Sequence, residues 1–110
     1  MSAPTDNESW IVERGDAVIQ RKAARGFNSL TPLERLIYCL WVADYGMRNA
    51  GDLVTASDIH ASFQTEGALL AKQLGLNLAT TAFVLPTAIL QNRYFDLFDG
   101  ICDEIRALEN

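Results

Sequence analysis

The sequence around Thr31 has the pattern of a helix start. The Thr31 hydroxyl can cap a helix, Pro32 suits the first helical position, and Glu34 can reach back to complete a capping box. The apolar residues that follow recur at the i, i+3, i+4 spacing of a helix packed on one side. They are Leu33, Leu36, Ile37, Leu40, Trp41 and Tyr45. The pattern predicts a helix at the centre of the fold, ended by Gly46 or Gly51.

The remainder of the chain shows the same kind of periodicity, punctuated by glycine and proline. It predicts a helix over residues 7–25 that is stopped by Gly26, and one or two short helical pieces within 46–65. A helix over 66–74, closed by Gly75, should follow. Residues 77–85 should form a helix rather than a strand, and residues 87–108 a long helix. We therefore predict an all-α fold, a compact single-domain bundle of about five helices. The domain spans residues 1–110, with residues 1–6 as a flexible tail.

Length and apolar patterning bound the class of protein. The chain has 110 residues, which leaves no room for two independent cores. It contains no apolar stretch of about 18 residues and no basic, apolar start typical of a signal peptide, so we expect a cytoplasmic protein without membrane contact. Cys39 and Cys102 fall within apolar helical patterns, which favours reduced core thiols over a disulfide.

Residues able to carry chemistry are few. His60 is the one histidine, and one histidine with two distant cysteines does not have the spacing of a zinc site. Asp52, Asp58 and Glu66 lie around the irregular middle segment, where acids commonly cap helix starts. We therefore predict no catalytic residue, no metal and no cofactor, and a protein that is not an enzyme. The alternative is a small ligand-binding or enzymatic site built from His60, Asp58 and Glu66.

The negative charge of the chain is concentrated in its second half. The net charge is −5; residues 1–50 carry six acids and six bases, whereas residues 51–110 carry eight acids and three bases. Direct binding to nucleic acid is therefore not expected, because phosphate contacts need a basic face. Asp96, Asp99 and Asp103 stand at i, i+3 and i+7 and form one stripe on a helix. This stripe is either a solvated helix face or a surface that binds a basic partner.

Several short motifs are similar to those of a known family. Residues 30–38 read LTPLERLIY, residues 41–45 read WVADY, the turn at 49–51 reads NAG, and residues 71–75 read AKQLG. This arrangement resembles the DNA-mimic-protein-like family of small bacterial helical proteins, over about residues 29–108. The family turn is Asn-Gly-Gly, and Ala50 replaces its first glycine here. The resemblance implies an all-α fold and, for some members, an acidic surface that binds a DNA-binding protein.

The leading functional hypothesis is a non-enzymatic interaction protein. Its acidic stripe, Asp96, Asp99 and Asp103, would contact a basic protein partner, with DNA-binding proteins as one class. The alternative from another class is a structural helical homodimer without ligand chemistry, in which Trp10 or Phe95 is buried between the subunits.

Overall fold

The computed structural model describes residues 6–109, and this part of the chain forms six α-helices and no strands. In chain order they are α1 (Asn7–Arg25), α2 (Pro32–Ala50), α3 (Val54–Ile59), α4 (Phe63–Gln73), α5 (Asn77–Phe83) and α6 (Thr87–Glu109), with a short 3-10 helix, Phe27–Ser29, between the first two. The all-α, single-domain prediction is confirmed. The helices number six rather than about five because α3 forms a separate short helix.

The predicted tail lies almost wholly outside the described residues. Its last member, Asp6, is described and is the N-cap of α1, where its carboxylate accepts a hydrogen bond of 2.6 Å from the backbone N–H of Ser9. Among residues 6–109, none of the helices has both the length and the apolar character needed to cross a membrane.

The capping box that the sequence predicts is present at the start of α2. The Thr31 hydroxyl accepts from the Glu34 N–H at 3.1 Å, and the Thr31 N–H donates to Glu34 Oε1 at 2.9 Å. At the other end, Gly51 takes a left-handed conformation with φ of 77°, and its N–H bonds the carbonyls of Gly46 and Met47. Of the two predicted stops, the chain uses Gly51, because this conformation costs a glycine little.

Helix α2 lies at the centre of the fold, as predicted, and contacts α1, α3, α4 and α6. Ten of its 19 residues are buried, so it is covered on more than one side. The core also takes apolar residues from every other helix, and both cysteines are buried within it as free thiols. The prediction of reduced core cysteines is therefore confirmed.

Tyr45 was expected to continue the apolar stripe of α2, and this expectation is wrong. Tyr45 is 43% exposed and stacks on the ring of Trp41, with the ring centroids 5.4 Å apart. The helical repeat carries the buried face from Leu40 through Asp44 to Met47 instead. In this turn of α2, the acidic residue Asp44 is therefore buried, and the aromatic residue next to it faces outward.

The buried Asp44 side chain joins three helices. It accepts a hydrogen bond of 2.8 Å from the Tyr94 hydroxyl of α6, and both its oxygens lie 3.0 Å from Arg48 Nε, one turn along α2. Arg48 also pairs with Glu8 of α1 at 3.0 Å, and its guanidinium lies 4.8 Å from the ring centroid of Phe98. Burial raises the pKa of Asp44 above its ordinary value, while Tyr94 and Arg48 act in the opposite direction.

The segment between α2 and α4 was the least regular in the sequence. Asp52 accepts hydrogen bonds from the N–H groups of Val54 and Thr55, so it satisfies the start of α3 as predicted for this acid. Ser57 lies inside α3. Pro86 precedes α6, which then runs without interruption to Glu109.

Residues 77–85 form a helix rather than a strand over most of their length. Glu104 of α6 accepts from the N–H groups of Leu78 and Ala79 at 2.9 and 2.8 Å, which satisfies the first turn of α5 from a neighbouring helix. Tertiary contacts therefore supply the cap that the local sequence lacks.

Gly15 provides a test of how tightly α1 packs on α2. A Cβ atom at this buried position would overlap Cγ and Cδ1 of Trp41. Helix propensity alone predicts that Gly15→Ala stabilises the protein by about 1 kcal/mol. We expect it instead to lower the free energy of unfolding by about 1–3 kcal/mol, because the added methyl overpacks the contact. Urea denaturation measures this. Ala17→Gly, at an exposed site on the same helix, reports the propensity term, and a stabilised Gly15→Ala variant would contradict the packing argument.

Asp44 predicts a specific dependence of stability on pH. The carboxyl has an ordinary pKa of 3.8 and a higher pKa in the folded state, so the folded state retains this proton over the interval between the two values. The free energy of unfolding of the wild type, relative to Asp44→Asn, should therefore fall as pH rises through that interval, by at most about 1.4 kcal/mol per pH unit. Denaturation from pH 3 upwards measures this. Asp16→Asn, at an exposed acid of α1, is the control, and a difference that rises with pH would refute the argument.

Candidate functional site

The three aspartates singled out in the sequence are all exposed on α6. Asp96, Asp99 and Asp103 face away from the core, whereas Tyr94, Phe98, Ile101, Cys102 and Ile105 of the same helix are buried. We refer to Asp96, Asp99 and Asp103 as the acidic surface. The amphipathic character predicted for this helix is therefore present.

Two members of the acidic surface are held by the first residue of α1. Asn7 Nδ2 donates to Asp99 Oδ1 at 2.9 Å and to Asp103 Oδ1 at 3.2 Å. Arg106 Nη1 donates to Asn7 Oδ1 at 2.8 Å, which orients the amide so that its NH₂ group faces the two carboxylates. Asp99 and Asp103 are thus fixed next to each other, although both remain open to solvent.

The start of α1 adds further negative charge beside this network. Asp6 caps the helix, and the hydrogen bond from the Ser9 backbone lowers the pKa of its carboxyl. The Glu8 side chain is 67% exposed even though it pairs with Arg48. Negative charge therefore extends from the acidic surface on α6 to the first turn of α1.

A second group of polar side chains surrounds His60, the C-cap of α3. His60 Nε2 lies 3.0 Å from Glu66 Oε1 of α4, and the Cys39 thiol of α2 donates to the same oxygen at 3.4 Å. One ligand atom from each of the three residues lies within 4.8 Å of the others. Cys39 is fully buried, while the His60 and Glu66 side chains are 22% and 27% exposed. We refer to Cys39, His60 and Glu66 as the Cys–His–Glu group.

Aromatic rings border the Cys–His–Glu group. The ring centroids of Tyr38 and Phe27 lie 5.3 and 5.9 Å from that of His60. Burial, reinforced by the charge of Glu66, raises the pKa of the Cys39 thiol. Because Glu66 lies between thiol and imidazole, the arrangement is not that of a nucleophilic cysteine activated by a neighbouring histidine base.

The alternative site proposed around His60 is assembled only in part. The fold brings His60 and Glu66 together, but the third member of the group is Cys39, while Asp58 is exposed and outside it. Glu66 was expected to cap a helix start, but its carboxylate contacts the side chains of Cys39 and His60 instead.

A groove of about 570 Å³ lies between α4 and the junction of α5 with α6, and neither His60 nor Glu66 lines it. Gln64 crosses it and donates to the carbonyls of Phe83 and Leu85 at 3.2 and 2.6 Å. Leu69 and Val84 on its walls are 66% and 62% exposed. The groove carries an apolar rim and no titratable side chain among its lining residues.

The two aromatic residues considered for a dimer contact have different surroundings. Trp10 is 6% exposed and covers the core of its own chain, with the Arg106 guanidinium 5.6 Å from the ring centroid. Phe95 is 51% exposed and lies beside Arg48, 5.1 Å from its guanidinium. Only Phe95 therefore remains available for contact with another molecule.

Comparisons of the chain with protein-family models, with curated proteins and with solved structures found no match. Function is therefore inferred from the geometry of the acidic surface and of the Cys–His–Glu group.

The sequence pattern identified Asp96, Asp99 and Asp103. It did not identify Asn7 as their hydrogen-bond donor, and it did not place Cys39 beside His60 and Glu66. Asn7 lies more than 90 residues from Asp99 and Asp103, and Cys39 lies 27 residues from Glu66. The periodicity of α1 and α2 indicated which helices these residues belong to. No local pattern indicated which side chains would meet across the helices.

The position of Asn7 leads to a paired substitution. We expect Asn7→Ala to lower the free energy of unfolding by about 1 kcal/mol, because it removes the donor between two carboxylates and leaves their repulsion uncompensated. Added salt should reduce this loss by screening the repulsion. The control is Asn77→Ala, also at the first residue of a helix, whose side chain makes no hydrogen bond within residues 6–109. Equal losses for the two variants at low salt would contradict the role given to Asn7.

Proposed function

We propose that this chain is a non-enzymatic protein-interaction module whose acidic surface binds a basic protein partner. The observation that carries the proposal is the Asn7 amide, which holds Asp99 and Asp103 side by side while both stay exposed. The two carboxylates are therefore presented to solvent in a fixed arrangement, where cationic side chains of a partner can reach them. The same function would follow for a member of the DNA-mimic-protein-like family, which the sequence motifs resemble.

Pre-organisation supports the proposal energetically. Binding usually costs about 0.5–1.5 kcal/mol for each flexible side chain that it immobilises. Asp99 and Asp103 are already oriented by Asn7, and Asn7 by Arg106, so less of this cost remains when a partner binds. Lysine or arginine side chains of a partner could therefore pair with carboxylates that are fixed in advance.

Charge defines the class of partner. The chain carries a net charge of −5, and three of its carboxylates lie together on one helix face as the acidic surface. Such a field accelerates encounter with a positively charged protein and opposes contact with a nucleic acid. Basic proteins that themselves bind DNA are the first class to test, because their grooves accept rows of negative charge.

A capture experiment with matched charge variants tests the proposal. The wild type and Asp96→Asn/Asp99→Asn/Asp103→Asn are immobilised and incubated with lysate of the source organism. The asparagine variant removes three charges and retains side-chain oxygens that can accept from Asn7. Glu13→Gln/Asp16→Asn/Asp58→Asn is the control, because it removes the same charge from exposed positions elsewhere.

We expect a basic protein to be retained by the wild type and the control and lost by the asparagine variant. Its binding should weaken as salt rises through a few hundred millimolar, because the contact is electrostatic. Equal retention by all three proteins, or binding that does not respond to salt, would overturn the proposal. Light scattering on the same wild-type sample tests the homodimer alternative, for which a monomer at high concentration is the negative result.

A further inference from the structure

Three side chains with the donor atoms of a transition-metal site converge on one point beside α2. They are the Cys39 sulfur, the His60 imidazole nitrogen and a Glu66 carboxylate oxygen, from three different helices or helix ends. We propose that the Cys–His–Glu group binds one divalent transition-metal ion of the zinc class. This inference is independent of the acidic surface, which lies on α6 and shares no residue with it.

The two donor-atom separations that involve Glu66 fit a tetrahedral ion. With bonds of about 2.3 Å to sulfur and about 2.0 Å to nitrogen and oxygen, a tetrahedral zinc ion holds its S and O ligands about 3.5 Å apart and its N and O ligands about 3.3 Å apart. The observed distances are 3.4 Å from Cys39 Sγ to Glu66 Oε1 and 3.0 Å from His60 Nε2 to the same oxygen. Both separations lie within about 0.3 Å of those around the ion, and the Cys39 sulfur and the His60 nitrogen lie within 4.8 Å of each other.

The donor types select the metal. Thiolate and imidazole are ligands that zinc and its neighbours prefer, whereas calcium and magnesium prefer all-oxygen sites. On binding, the Cys39 thiol loses its proton to solvent and forms a bond from sulfur to the ion. The thiolate and the Glu66 carboxylate then balance the two positive charges, so that the occupied site is electrically neutral.

Burial indicates how the coordination shell is completed. Cys39 anchors the site in the core, while His60 and Glu66 remain partly exposed at its outer side. With three protein ligands, the fourth position of a tetrahedral ion faces solvent and takes water. The described site therefore has the composition of an open centre, with Phe27 and Tyr38 as an aromatic border.

The backbone around His60 holds the ligands in place. The His60 N–H bonds the Ala56 carbonyl at 2.9 Å, and the His60 carbonyl accepts from the Phe63 N–H at 3.0 Å. Glu66 follows in the first turn of α4, with its N–H bonded to the Ser62 carbonyl at 2.8 Å. The turn that connects α3 to α4 therefore sets two of the ligands relative to each other before any ion binds.

Cobalt(II) is the probe for the test, because its absorption reports both the ligand type and the coordination number. The full chain is prepared without a histidine tag, since His60 is its one histidine. Co²⁺ is titrated into the wild type and into Cys39→Ser, His60→Gln and Glu66→Gln, and Zn²⁺ is then added to displace it. Cys102→Ser is the matched control, because it makes the same change at the other buried cysteine.

The wild type and Cys102→Ser should bind one Co²⁺ per chain, with a thiolate-to-cobalt charge-transfer band and the intense visible bands of a four-coordinate ion. Cys39→Ser should lose the charge-transfer band. His60→Gln and Glu66→Gln should weaken Co²⁺ binding by more than about tenfold, because even the loss of a residue that only supports a metal ligand typically costs about that much affinity. Zn²⁺ should displace the cobalt and raise the thermal unfolding midpoint, while Ca²⁺ should do neither.

Absence of stoichiometric binding by the folded wild type would overturn the inference, as would a cobalt spectrum without the charge-transfer band. Equal binding by the wild type, His60→Gln and Glu66→Gln would also overturn it. If Cys39→Ser does not fold, as judged by circular dichroism, the wild-type spectrum and the two partly exposed variants decide the result. Failure of the acidic-surface proposal in the capture experiment leaves these outcomes unchanged, because no variant is shared.

Discussion

The arrangement of α1, α2 and α6 depends on the buried carboxylate of Asp44. Removing a carboxylate from water costs several kcal/mol unless hydrogen bonds and a counter-charge compensate it. Tyr94 supplies the hydrogen bond from α6, and Arg48 supplies the charge from the next turn of α2. Arg48 in turn reaches Glu8 of α1 and the ring of Phe98. The register of the two outer helices on α2 is therefore limited to positions that satisfy this group, which apolar packing alone would not require.

Helix α2 carries a second polar contact on a different part of its surface. Cys39 is fully buried, and its thiol meets Glu66 of α4 beside His60. Asp44 thus relates α2 to α1 and α6, whereas Cys39 relates it to the α3–α4 half of the fold. Both contacts pair a buried group of the central helix with a partner on a later helix. Such pairs specify how helices meet, because each misplacement leaves a buried polar group without its partner.

The two proposals follow from this division of the molecule. The acidic surface lies where α6 meets the start of α1, and its geometry is set by Asn7 and Arg106. The Cys–His–Glu group lies where α2 meets the turn between α3 and α4. A partner that binds the first region would make electrostatic contacts with exposed carboxylates. An ion in the second would replace hydrogen bonds among side chains that already touch. The two regions share no residue, so the protein could use either without the other.

The helical class, most of the helix positions and the exposed face of α6 can be predicted from the amino-acid sequence. These depend on short-range physics: the Thr31–Glu34 capping box, the stop at Gly51 and the spacing of apolar residues all act within a few positions along the chain. The sequence pattern misplaced Tyr45, because residue type suggested a buried aromatic where the helical repeat put Asp44 inside. Two contacts could not be predicted in this way: Asn7 joins Asp99 to Asp103, and Glu66 meets Cys39 and His60 instead of capping a helix. Those contacts form between residues far apart in the chain, and helix packing brings them together. A periodic pattern predicts which face of a helix is buried, but it does not predict which side chains of another helix that face will contact.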